Sequence, residues 1–138
     1  MKIFRTLIFT SVCAIALSGC AGTGSGGKVD LNGSAWVLVS LDGEQPIEDR
    51  QPTMAFEGGQ VSGNASCNHY GGGYEIEDEA ITFSSLYNTE MACMEPEGVM
   101  QQEQMYLGIL RNAQRFELGE NLLTIFTDTE QTLTFERQ

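Results

Sequence analysis

The feature that most constrains this chain is the rhythm of its apolar residues. Short apolar runs are each stopped by Gly, Asp or Asn, and one late stretch alone has helical spacing. Trp36 to Leu41 reads as a strand ended by Asp42-Gly43. Thr53 to Phe56 is a second strand, and Glu57-Gly58-Gly59-Gln60 is a tight hairpin turn into Val61. Gly71-Gly72-Gly73 reads as a break. Tyr74 to Ile76 and Ala80 to Phe83 form a hairpin around the acidic turn Glu77-Asp78-Glu79, and Leu86 to Thr89 is extended. The helix is placed from Pro96, a residue suited to the first turn, to Asn112. Its stripe of Val99, Met100, Tyr106, Leu107, Leu110 and Ala113 would face a core, with Gly108 opposite. Gln114 to Leu118, Leu122 to Thr127 and Thr132 to Glu136 close the chain as strands. The pattern predicts an α+β domain, an antiparallel sheet with one helix inserted late.

The amino-terminal end obeys a different logic. Lys2 and Arg5 precede an uncharged, mostly apolar run from Thr6 to Leu17. That run falls short of the roughly 20 residues of a membrane span and has the form of a secretory signal. It ends in Leu17-Ser18-Gly19-Cys20, which resembles the bacterial lipobox, where the cysteine becomes the lipidated amino terminus. The organisation predicted is therefore a signal peptide over 1–19, a lipidated Cys20 with a Gly/Ser-rich tether over 20–29, and a folded domain over 30–138. Ala21 follows Cys20 where an Asp would favour inner-membrane retention. By that resemblance the expected location is the outer membrane, facing the periplasm, with the acyl chains (palmitate among them) as the anchor.

Charge narrows the partners. The chain has 19 acidic against 7 basic side chains, a net of -12. Nucleic acid is excluded as a partner, because phosphate binding needs a basic face. Loss of residues 1–19 would remove Lys2 and Arg5 but no acid, so the exported chain is more acidic still. A single histidine, His69, leaves little material for acid/base catalysis or a metal site.

Three segments carry a resemblance. Ser62-Gly63-Asn64-Ala65-Ser66-Cys67-Asn68-His69-Tyr70, followed by Gly72-Gly73-Tyr74, is similar to a G-x-x-x-C-N-x-Y-x-G-x-Y signature. Thr89-Glu90-Met91-Ala92-Cys93 is similar to a T-x-M-A-C signature, and Glu103-Gln104 with Tyr106-Leu107 resembles the start of the family helix. Leu31 to Trp36 fits the family's opening. These are marks of the META domain family, which includes HslJ-like bacterial lipoproteins. Ser66 departs from the pattern, since many members have Gly before the Cys. The resemblance implies a curved antiparallel sheet, close to a half-open barrel, with a helix packed across it. It also implies roles in heat-shock or envelope stress, and it carries over no catalytic residues.

Asn68, Tyr70, Gly72, Tyr74, Thr89, Met91 and Glu103 are thus expected to be structural motif residues. The glycines of the first motif would serve turns or bulges in a bent sheet, with Asn68 and Tyr70 fixing the bend by hydrogen bonds. No Lys or following helix makes that segment a phosphate loop, and no Gly-x-Ser-x-Gly elbow is present. Export would place Cys67 and Cys93 in an oxidising compartment, where a pair of thiols reads as a disulfide; two buried reduced thiols are the alternative. The Cys67-Asn68-His69 spacing does not match a structural zinc site, so no metal and no cofactor are expected. Glu103 falls inside the apolar helix stripe. One reading has it accepting backbone N–H bonds from a nearby loop, the 88–93 segment; the other makes it a reactive acid in a cleft.

The expected function is a non-enzymatic, lipid-anchored binding or scaffold module in envelope stress tolerance. Its partner would be an apolar ligand or an envelope protein, taken into a cleft made adaptable by Met91, Met94, Met100 and Met105. The alternative is a periplasmic enzyme using Glu103.

Overall fold

A computed structural model describes residues 28–138. The signal-like segment, Cys20 and most of the tether lie outside the described residues. The elements are β1 (Ser34–Leu41), β2 (Thr53–Glu57), β3 (Gln60–Asn64), β4 (His69–Glu77), β5 (Ala80–Asn88), α1 (Val99–Arg111), β6 (Ala113–Leu118), β7 (Leu122–Thr127) and β8 (Thr132–Arg137). All eight strands pair antiparallel with their sequence neighbours, and β8 returns to β1 to close a barrel.

The half-open barrel of the sequence reading is therefore corrected to a closed one. Closure pairs every strand with two neighbours, although not along its full length. The weakest seam is β5 to β6, joined only through Ala80 opposite Arg115 and a bond from Phe116 N–H to the Glu79 carbonyl. The helix is inserted at this seam and lies against β5, β7 and β8.

Apolar residues alternate inward along the strands. Trp36, Leu38, Met54, Phe56, Val61, Ile81, Leu123, Ile125, Leu133 and Phe135 are all fully buried. Such side chains each contribute about 1.5–3 kcal/mol by leaving water. Glu75, Glu77, Thr82, Glu117 and Glu136 alternate with them on the exposed side, the reverse of a barrel whose outside meets lipid. The interior is filled, so the expected open apolar cleft is absent from the sheet of the described residues.

Two details differ from the sequence reading. Gly71-Gly72-Gly73 does not break the chain but lies in the middle of β4. A Cβ on Gly72 would sit 2.7 Å from the Ser84 carbonyl oxygen and 2.8 Å from Leu86 Cδ2, so the glycines give room to β5 rather than a turn. The pairing shifts here, with Gly71 opposite Tyr87 and Gly73 opposite Ser84. This bulge bends the sheet as the notion of a curved sheet requires. Finally, α1 starts at Val99, after Gly98 at φ 87°, rather than at Pro96, whose carbonyl accepts the Val99 N–H.

Candidate functional site

Four of the motif residues, Asn68, Thr89, Met91 and Glu103, meet where α1 crosses the turn between β3 and β4. Glu103, buried on the inner face of α1, points its carboxylate at the turn between those strands. One oxygen accepts the backbone N–H groups of Cys67 at 2.9 Å and Asn68 at 2.6 Å; the other accepts Asn68 Nδ2 at 2.6 Å. Glu103 thus accepts backbone N–H bonds, but from 67–68 rather than from 88–93.

The 88–93 segment is reached through Asn68. Its Oδ1 accepts the Thr89 hydroxyl at 2.8 Å and the Met91 N–H at 2.7 Å, while Nδ2 also donates to the Met91 carbonyl at 3.1 Å. Two donors and two acceptances exhaust the amide. The Met91 N–H and C=O, which cannot exchange roles, fix which end of the amide is oxygen. Thr89 adds to the clamp, its N–H donating to the His69 carbonyl and its hydroxyl oxygen accepting the His69 N–H. Cys67 and Cys93 close a disulfide across 26 positions, with Cα atoms 5.9 Å apart. In the chain-entropy account such a loop contributes about 3–4 kcal/mol.

Ser66, the departure from the family signature, has φ 124°, a conformation that favours glycine. Its N–H donates to Asn64 Oδ1 at 2.8 Å, and its hydroxyl accepts from Gln102 Nε2 at 2.8 Å. The serine therefore offsets an unfavourable backbone with a buried bond. Gln102 itself was passed over by the sequence reading. It also accepts the Ile47 N–H at 2.7 Å and donates to the Arg50 carbonyl at 2.9 Å, tying α1 to the 47–50 loop. Its only sequence signal is that it neighbours Glu103 on the buried side of the helix.

Tyr70 stands one step inward. Its hydroxyl donates to the Thr53 carbonyl at 2.9 Å and lies 2.6 Å from the Tyr106 hydroxyl. Since the Tyr70 proton is committed to Thr53, Tyr106 is the donor of the second bond. Burial pushes both hydroxyls well above the ordinary tyrosine range. For Tyr70 the bond from Tyr106 works against that rise. Tyr106 packs edge-on to Tyr70 and Phe135, with ring centroids 5.6 and 6.3 Å away.

Tyr74 is not part of this network. It packs edge-on against Phe56 with centroids 4.7 Å apart. Nor is the methionine group gathered around one cleft. Met91 and Met94 are exposed on the 89–98 segment, Met105 is exposed on α1, and Met100 is half-buried with its sulfur accepting the Cys93 N–H. Met91 and Met100 line a depression of about 350 Å³ with Asn68, Glu90, Leu107 and Arg111. Among the described residues no three His, Cys, Asp or Glu side chains converge as metal ligands.

A small closed antiparallel barrel, sealed by a late helix whose buried Glu holds a Cys-Asn turn, defines the class of domain. Residues 29–138 match the META domain, and the chain belongs to that family. A protein from Burkholderia xenovorans, solved by NMR, is 28% identical with a TM-score of 0.66, covering 78% of this chain and 83% of that one. A second NMR structure is also 28% identical, with a TM-score of 0.64 and coverage of 77% and 90%. A DUF4847 family protein from Bacteroides vulgatus shares the fold at 13% identity, with a TM-score of 0.57 over 77% of this chain and 93% of that one. No curated protein matches the chain.

Proposed function

We propose that this chain is a lipid-anchored, periplasm-facing binding or scaffold module of the bacterial outer membrane, without catalytic activity. The observation that carries this reading is the state of Glu103. Both its oxygens are occupied by three donors from the 67–68 turn. A reactive acid needs a free oxygen directed at a substrate, whereas this one is committed to holding the turn. The filled barrel interior supports the same reading, since any partner must be met on the outer surface.

The anchor rests on Lys2, Arg5, the apolar run and Leu17-Ser18-Gly19-Cys20, followed by the Gly/Ser tether that leads to the barrel. The acyl chains would supply the membrane affinity, at about 0.8 kcal/mol per buried methylene. The acidic domain would be repelled by anionic lipid and so would stand off the membrane. The role in envelope stress tolerance follows from the resemblance to META lipoproteins. Growth with an alkyne-bearing fatty acid tests the anchor. The full chain should take up the label and fractionate with membranes, and Cys20→Ser should lose both properties. A wild-type chain that is unlabelled and soluble would overturn the anchor.

A further inference from the structure

The 89–98 segment is irregular, yet it is not held loosely. The disulfide, the saturated Asn68 amide and the Met100 sulfur on the Cys93 N–H fasten its first half to the barrel. What this rigid base presents is chemically unusual. Met94 is 84% exposed and Met91 53%, and Met91 continues into the depression shared with Met100 and Leu107. Exposed thioethers cost hydration free energy, and being unbranched and polarizable they adapt to varied apolar shapes. Interleaved with them are Glu90, Glu95 and Glu97, all exposed and without an ion-pair partner among the described residues. The one cation lining the depression, Arg111, donates to Asn88.

We propose that this face docks a cationic amphipathic segment of another polypeptide, its apolar side on Met91, Met94 and the depression and its Lys or Arg side chains toward Glu90, Glu95 and Glu97. The occupant is set by charge complementarity. The acids would repel an anionic lipid surface and an equally acidic second copy of this chain. Flexible methionines alternating in sequence with exposed carboxylates suit a basic helix without demanding one sequence. The fastened base lowers the ordering cost of binding. This inference deepens the binding-module reading and names its partner class. It would fail without touching the anchor, which is read separately at Cys20.

The full chain would be titrated against a fluorescent Leu/Lys peptide of about 18 residues, long enough for five helical turns. Controls are a scrambled peptide of the same composition and a Leu/Glu counterpart, followed by anisotropy. Binding of the Leu/Lys peptide alone is expected, weakening steeply between about 50 and 500 mM salt. Met91→Ser with Met94→Ser should weaken it about tenfold or more, as should Glu90→Gln with Glu95→Gln and Glu97→Gln. All five positions are exposed, so the variants should keep the parent melting temperature, which is measured alongside. The proposal is overturned if the folded variants bind as the parent does, if the Leu/Glu peptide binds equally, or if self-association or anionic vesicles occupy the face instead.

Discussion

Glu103 sits on the buried side of α1 with Val99, Gln102, Tyr106, Leu107, Ile109 and Leu110, and it is as buried as they are. A carboxylate there costs desolvation unless donors replace water. The 67–68 turn provides them, two from the backbone and one from Asn68, and Asn68 passes the constraint on to Thr89 and Met91. In Glu103→Gln one oxygen becomes an NH₂ group facing N–H donors. We expect a loss of about 2–4 kcal/mol and a fall in Tm on the order of 10 °C, read by thermal melting of the full chain. An unchanged Tm would sink the structural role. The anomaly itself was legible, since an acid inside an apolar helical stripe demands partners. The partner's address was not, because donors from 67–68 and from 88–93 serve a carboxylate equally well until the fold brings one of them near.

Glycine shows how an element can be misread. The Glu57–Gln60 turn was legible because Gly58 and Gly59, at φ 58° and 79°, do what glycines are expected to do in a two-residue hairpin. Gly71 to Gly73 carry the same letters and do something else. They make room for the side chains and backbone of β5 at its bulge, a need created by a neighbour about a dozen residues away in sequence. Two substitutions separate the roles. Gly72→Ala forces a Cβ against the Ser84 backbone and should destabilise by about 2 kcal/mol or more. Gly108→Ala meets nothing within 4 Å on α1 and should stabilise by up to about 1 kcal/mol. Urea midpoints of the two variants would check both signs.

At the scale of the molecule, barrel and helix share a core that encloses the Tyr70–Tyr106 hydroxyl pair. Both hydroxyls hold their protons more tightly folded than unfolded. Below about pH 10 they are protonated in both states and their contribution is intact. As pH rises above that, the unfolded chain sheds protons that the folded chain keeps, so stability falls. The slope is about 1.4 kcal/mol per pH unit for each tyrosine. Urea midpoints from pH 9 to 11.5 (about the accessible window) should decline, and more shallowly in Tyr106→Phe, which removes one of the two groups. A slope identical to the parent's would exclude Tyr106 from the alkaline transition.

The sequence by itself determined the element order, the antiparallel character, the late helix and the pairing of Cys67 with Cys93 as a candidate bond. These depend on local periodicity, turn chemistry and residue type, which are properties of short stretches. Only the tertiary structure decided that β8 returns to β1 to close the barrel, that the interior is filled rather than open, and that Glu103 and Asn68 lock Met91 into place. Closure depends on twist accumulated over all eight strands and on bulges such as that opposite Gly72. No single segment encodes that sum, so the filled core and the clamped 89–98 surface become visible only once the strands are assembled.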